Sequence, residues 1–266
     1  GGVRTAARLR TEVAVFLPHP PRRTTRGQTA RRDQREKIER MAEPLRILQR
    51  PKSLTALAAD EIRGRIVRGE LGLGSPLSEN ALALELGVSK TPIREALLQL
   101  KMEGLVSIQP QRGSFVFDMT PGEIKQLGEL RETLEVTALE RAMKRRREPL
   151  VAALTVIVDA MAEAVRTGDN GRYRILDAEF HRTLFEHAGN RYLADCYAGF
   201  AFRIQALRAR LCSDPALNAV SLRDHGRLRD LIAAGDADAA RDLLVHHMTR
   251  TIGDYLDSME QAAVAD

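Results

Sequence analysis

Apolar residues recur at a helical period along most of the chain beyond Ser53 and alternate in one short stretch only. From Leu54 onward, Leu57, Ile62, Ile66 and Val67 fall close to one every 3.6 residues, which predicts a helix that stops at the Gly- and Pro-punctuated RGELGLGSP. Ser78 then offers its hydroxyl to the free amides of a short helix, ENALALEL. Leu82, Ala83 and Leu86 share one face of it, and Gly87 supplies the left-handed residue that closes it. A second helix begins at once in SKTPIREALLQLKMEG. Ser89 or Thr91 caps it, Pro92 stands in the first turn, where amides lack intrahelical partners, and Gly104 ends it. Ile93, Ala96, Leu97 and Leu100 line its buried side. The alternation comes next: LVSIQ and SFVF flank PQRG, predicting a two-stranded hairpin with Arg112 and Gly113 at its tip.

Pro121 opens a second helical run that continues to Glu260. Breaks at Glu148-Pro149, Thr167 to Asn170, Gly189-Asn190, Ser213 to Pro215 and Gly235-Asp236 divide it into about six helices with short loops, an antiparallel bundle. The expected fold class is mainly α: an N-terminal winged helix-turn-helix over residues 51–118 and a C-terminal all-helical bundle over 119–262, preceded by a tail of residues 1–50.

Composition narrows this picture. A hydrophobic fraction of 44% with 29% charged residues suits a globular chain, and 4% aromatics with no Trp leaves the core to aliphatic side chains. Rings are too scarce for an extended stacking surface on single strands. No run approaches the roughly 18 apolar residues of a spanning helix. Val13 to Leu17 falls short of the roughly 7 to 15 apolar residues of a secretory core, so a cytoplasmic location is expected. Cys196 and Cys212 read as reduced core thiols.

The net charge of +5 is local in origin: residues 1–50 carry 13 Lys and Arg against 5 Asp and Glu, and the remainder of the chain is slightly acidic. That tail is rich in Pro, Arg, Thr and Gln without a sustained apolar period, so disorder is expected. Its first methionine is Met41. Residues 1–40 therefore read first as an upstream extension and second as a basic arm grazing DNA.

In a helix-turn-helix the second helix is held across the first, so that its N-terminal end projects. Here that end carries Lys90, Thr91 and Arg94. An arginine so placed reaches the N7 and O6 acceptors of a guanine with two donors, which discriminates between bases by about 1–3 kcal/mol. Lys90 can touch base or phosphate with less geometric selectivity. Residues 51–118 hold 8 basic and 8 acidic side chains, so affinity must come from where the charges sit.

LSENALALELGVSKTPIREALLQLKMEGLV followed by RGSFV resembles the DNA-binding domain of the GntR family of bacterial transcription regulators. The resemblance implies that Asn80, Lys90, Thr91, Arg94 and the wing residue Gly113, beside Arg112, lie where that family touches its operator. Lys90 stands where Arg is more common.

In the bundle the informative residues are polar groups on apolar stripes. Asp177 and His181, four apart, share a face with Leu176, Phe180 and Leu184. His225 falls on the stripe Leu222, Leu228, Ile232, and His247 on Ala240, Leu244, Thr251, Tyr255, whereas His246 points about 100° away. His19 and His187 fit neither pattern. Spacing alone leaves three readings open: separate histidines, a mutually hydrogen-bonded set, or ligands of a divalent transition metal.

DAEFHRTLFEHAGN and DHGRLRDLIAAGDADAARDLLVHHM are similar to the ligand-binding FCD domain of the FadR subfamily of GntR regulators. This resemblance implies that Asp177, His181, His225 and His247 bind a metal, zinc foremost, with nickel, manganese or iron also suited. Six helices in place of seven point to the VanR-like branch. Coordination places left over suit a small carboxylate effector, and Arg131 in ELRETLE, matching a frequent Arg of the family, is the cation chosen for it. A surface salt bridge with Glu135 is the alternative for Arg131. Asn190 is a second effector candidate, although it also suits the GN turn.

The function expected is a ligand-responsive regulator, a repressor by preference, acting as a homodimer on an inverted-repeat operator. Two alternatives stand beside it: a metal-dependent enzyme fused to a DNA-reading head, and a regulator whose metal is purely structural. Against the enzyme, the sequence has no separate general base, phosphate loop or activated nucleophile.

Overall fold

The computed structural model describes residues 52–211 and 214–265. The first hydrophobic core gathers α1 (Leu54–Val67), β1 (Pro76–Leu77), α2 (Glu79–Leu86), α3 (Lys90–Met102), β2 (Val106–Gln109) and β3 (Gly113–Val116). Ser78 caps α2 by accepting from the Ala81 amide, and Gly87 closes it at φ 65°, a conformation glycine adopts without Cβ strain. Ile93, Ala96, Leu97 and Leu100 form the buried face of α3, as the period requires. Ser89 occupies the cap position of α3 without a side-chain bond.

Two details depart from the sequence reading. Leu57 is 50% exposed, and α1 instead packs through Ala58, Ala59, Ile62 and Ile66, because alanines allow closer approach than the leucine beside them. The wing also gains a third strand: β1 pairs antiparallel with β3, Pro76 opposite Phe115, giving the order β1-β3-β2. Two residues are too few to show alternation.

The second core lies among α4 (Pro121–Thr167), α5 (Asn170–Ala188), α6 (Arg191–Leu211), α7 (Pro215–Ala234) and α8 (Ala237–Ala265). Thr120 and Glu123 form a reciprocal capping box that starts α4. The break expected at Glu148-Pro149 is a kink at Arg146 (φ −145°, ψ 40°) inside α4. The Pro149 ring crowds the carbonyl of Arg145 and offers no amide proton, which displaces the distortion toward the N-terminal side. The bundle thus has six helical segments among the described residues.

Cys196 is exposed on α6, not a core thiol, while the tail, His19 and Cys212 lie outside the described residues. No described helix is long and apolar enough to cross a membrane.

Helix α6 ties the two cores together. Ala206 is buried in the head core, Phe202 lies 5.2 Å from the Arg63 guanidinium carbon, and Arg203 Nε donates to the Gly104 carbonyl at 2.9 Å. Gly104 has φ 71°, and a Cβ there would overlap the Arg203 guanidinium. Gly104→Ala is therefore expected to lower unfolding free energy by about 1–2 kcal/mol, the cost of a left-handed non-glycine residue. A denaturant titration that shows no loss would contradict this account of the turn.

Candidate functional site

Three imidazoles meet inside the bundle. Helices α5, α7 and α8 deliver His181, His225 and His247, and one ligand-capable atom from each lies within 4.8 Å of the others. His225 Nε2 stands 3.4 Å from His181 Nε2 and 3.7 Å from Asp177 Oδ1. All four residues are no more than 3% exposed; the three histidines converge as their separate stripes predict, whereas Asp177 stands beside His225 and is not one of the mutually close set. The exposed His246 points away, and His187 is spent on the Thr183 carbonyl at 2.9 Å.

The far sides of two rings are held by carboxylates that the sequence reading did not assign. His181 Nδ1 donates to Glu135 Oε2 at 2.6 Å, and His247 Nδ1 lies 3.3 Å from Asp224 Oδ2, which also accepts from Arg250 at 2.7 Å. This carboxylate support is the arrangement that orients imidazoles toward a metal. His247 Nε2 is buried with no hydrogen-bond partner among the described residues, an orphaned lone-pair position of the kind a cation would satisfy. Burial raises the Glu135 carboxyl, but the Arg131 charge and then His181 outweigh it and hold the group well below the usual carboxylate range. Burial pushes all three imidazoles down, His247 to about 3 despite its bond to Asp224. They are neutral at pH 7, the protonation state that ligates metal. Three neutral imidazoles and one carboxylate suit a divalent transition ion.

Arg131 is buried, not at the surface. Its Nε donates to Glu135 Oε1 at 2.6 Å, while Nη2 has no partner among the described residues. Asn190 is elsewhere: its oxygen accepts from the amides of Tyr192 and Leu193, capping α6. Arg208 of α6, also unforeseen, is ion-paired with Asp177 and donates from Nη2 to His181 Nε2 at 2.9 Å. A cavity of about 30 Å³ adjoins this group, lined by Asp177, Arg208, Asn218 and Thr251 among others. That is room for about one water.

At the opposite end of the chain, the exposed start of α3 presents Lys90, Thr91 and Arg94, with Asn80 exposed on α2 and Arg112 and Gly113 exposed at the hairpin tip. Arg94 Nε donates to Glu79 Oε2 at 2.7 Å across the turn. Gln111 (φ 64°) and Gly113 (φ 105°) shape the tip.

Residues 54–116 match the family model described as bacterial regulatory proteins, gntR family, and residues 126–250 match the model of the FCD domain. The chain belongs to the GntR family. An uncharacterized HTH-type transcriptional regulator in an unstable DNA locus of Streptomyces ambofaciens is 30% identical over 198 residues, 73% of this chain and 81% of that protein. The gluconate operon transcriptional repressor of Bacillus subtilis (strain 168) is 34% identical over 135 residues, 51% of this chain and 55% of that repressor. Among solved structures, E. coli McbR/YncC superposes with a TM-score of 0.69 at 22% identity, covering 79% of this chain and 100% of that one, a likeness of fold. The chain is thus a GntR-family transcription regulator with an FCD domain, not an enzyme.

Within this GntR regulator, the residues missed from sequence are charged ones buried beside the histidines. Glu135 lies on the buried stripe that runs Gly128, Arg131, Ala138, Leu139, Ala142, and Arg208 follows Ile204 by four. A charge interrupting an apolar stripe was the available signal.

Proposed function

We propose that this GntR regulator is a cytoplasmic, homodimeric repressor whose bundle, residues 119–262, holds a divalent transition metal and senses a small carboxylate, while the head, residues 51–118, reads DNA. The meeting of three buried, neutral imidazoles, with Asp177 Oδ1 3.7 Å from one of them, supports this reading most strongly. Asp177, His181, His225 and His247 would hold the ion, with zinc the first to test and nickel, manganese or iron also suited; when bound it supplies a Lewis-acidic point for an effector oxygen. Arg131, through an Nη2 that has no partner among the described residues, offers a cation to the effector's carboxylate. Asn190 belongs to the α6 terminus and is left out of this set. The relationship to a gluconate operon repressor makes sugar acids the first effector class to test.

In the head, Arg94 and Lys90 read base edges, with Asn80, Thr91, Arg112 and Gly113 against the backbone. Two heads related by a two-fold axis call for an inverted repeat. Effector binding weakens DNA affinity by its differential affinity for the two states, and no more.

The small cavity beside Asp177 favours one second reading, a metal that only stiffens the bundle. Thermal unfolding with a panel of sugar acids and other small carboxylates, on zinc-loaded and chelator-stripped protein, separates the two. Saturable stabilisation confined to the zinc-loaded form supports sensing. Stabilisation by zinc with no response to any acid supports the structural reading, and an identical acid response without zinc removes the metal from sensing.

Glu135→Gln is expected to weaken zinc binding by about 10–100-fold, the usual effect of losing a carboxylate that orients a ligating histidine. Unchanged affinity in a chelator competition would remove Glu135 from the site's support.

A further inference from the structure

Arg208 occupies two of the four groups that the proposed metal needs. Its guanidinium is ion-paired with Asp177, and its Nη2 donates to His181 Nε2 at 2.9 Å. The ionised Glu135 accepts from His181 Nδ1, which leaves Nε2 with one lone pair. That lone pair serves an N–H donor or a metal, but not both. A guanidinium and a divalent ion side by side in a dry core would repel strongly, since little water screens them. Arg208 is only 5% exposed, so it cannot step aside into open solvent.

Space for it exists on the other side. A second cavity, of about 110 Å³, borders Arg208 at the seam with the head and is lined by Val67, Arg68, Gly171 and Arg174 among others. At this seam Arg174 Nη1 donates to the Arg68 carbonyl at 3.1 Å. Helix α6, which carries Arg208, also supplies Arg203 to the Gly104 carbonyl and Ala206 to the head core.

We propose that Arg208 is an internal counter-cation: it holds Asp177 and His181 in the metal-free protein, and a divalent ion expels it into the seam cavity. There its charge arrives beside Arg174 and Arg68, whose Nε donates to Glu70 Oε1 at 2.5 Å; it competes for that carboxylate and so loosens the hold of the bundle on the head. Metal loading is thereby transmitted along α6 by the exchange of one cation for another. This inference rests on the metal reading above.

Zinc alone is the probe, in two measurements on the full chain. In competition against a chromophoric chelator, Arg208→Met is expected to bind zinc at least about tenfold tighter than wild type, because the variant leaves Asp177 without its competing partner. Arg208→Lys keeps a competing cation and is expected to stay near wild type. In wild type, amide hydrogen exchange across residues 64–72 should quicken on adding zinc. Equal or weaker zinc binding by Arg208→Met overturns the exchange. So does seam exchange that zinc leaves unchanged in wild type, a readout that does not depend on the variant folding. If neither wild type nor variant takes up zinc, the metal reading itself fails, which distinguishes the two failures.

Discussion

Replacing His225 by alanine is expected to empty the bundle of metal and abolish any effector response, while leaving the head able to bind DNA. His225 Nε2 is the central donor of the group, 3.4 Å from His181 Nε2 and 3.7 Å from Asp177 Oδ1. Its removal leaves two imidazoles and one carboxylate, the latter already paired with Arg208. The ring is 1% exposed and packs 4.3 Å from Phe180, so the truncation also opens a cavity that costs about 2–4 kcal/mol in the metal-free protein. The head has a separate core and should survive this loss. Metal content by mass spectrometry and duplex binding by anisotropy check the two halves of the expectation. Full metal content in His225→Ala would defeat the assignment of the four ligands.

Arg94→Ala is expected to remove operator selectivity without affecting folding. The side chain is 63% exposed, and its bond to Glu79 is a surface ion pair worth about 0–1 kcal/mol, less than the 1–3 kcal/mol of discrimination that a bidentate contact to guanine supplies. DNA can therefore draw Arg94 off Glu79. The variant should lose roughly 5- to 150-fold in preference per half-site, while its affinity for unrelated duplex falls far less. Selection from a random duplex pool, followed by affinity measurements on the enriched site and a scrambled one, reads this directly. A variant that still recovers the same motif would remove Arg94 from the reading set.

These two expectations draw on parts of the molecule that differ in how legible they were. The head could be read almost residue by residue, because its signals are local: Ser78 and Gly87 bound α2, and four apolar positions define the buried face of α3. Leu57 misled because a period counts large apolar residues, whereas α1 packs through Ala58 and Ala59. The two-residue strand at Pro76–Leu77 is held by its pairing to β3, a long-range fact that no local pattern carries. In the bundle, stripe positions set His247, which is buried, apart from His246, which is exposed, since a shift of one residue turns a side chain by about 100°.

The supporting charges were hidden for the opposite reason. Charged residues on helices ordinarily face solvent, so beside the choice of Arg131 as an effector cation the alternative for Arg131 and Glu135, four apart, is a surface pair. Only packing shows that both are buried and that Glu135 reaches His181 from 46 residues away. Asp224 and Arg208 escaped notice in the same way, each becoming meaningful through a histidine on another helix.

Anomalous X-ray scattering from zinc-soaked crystals, recorded on both sides of the zinc absorption edge, tests the central claim most directly. The account predicts one strong peak per chain, enclosed by the Nε2 atoms of His181, His225 and His247 and an oxygen of Asp177. A map with no peak there, or with its zinc bound only at surface carboxylates, would contradict it.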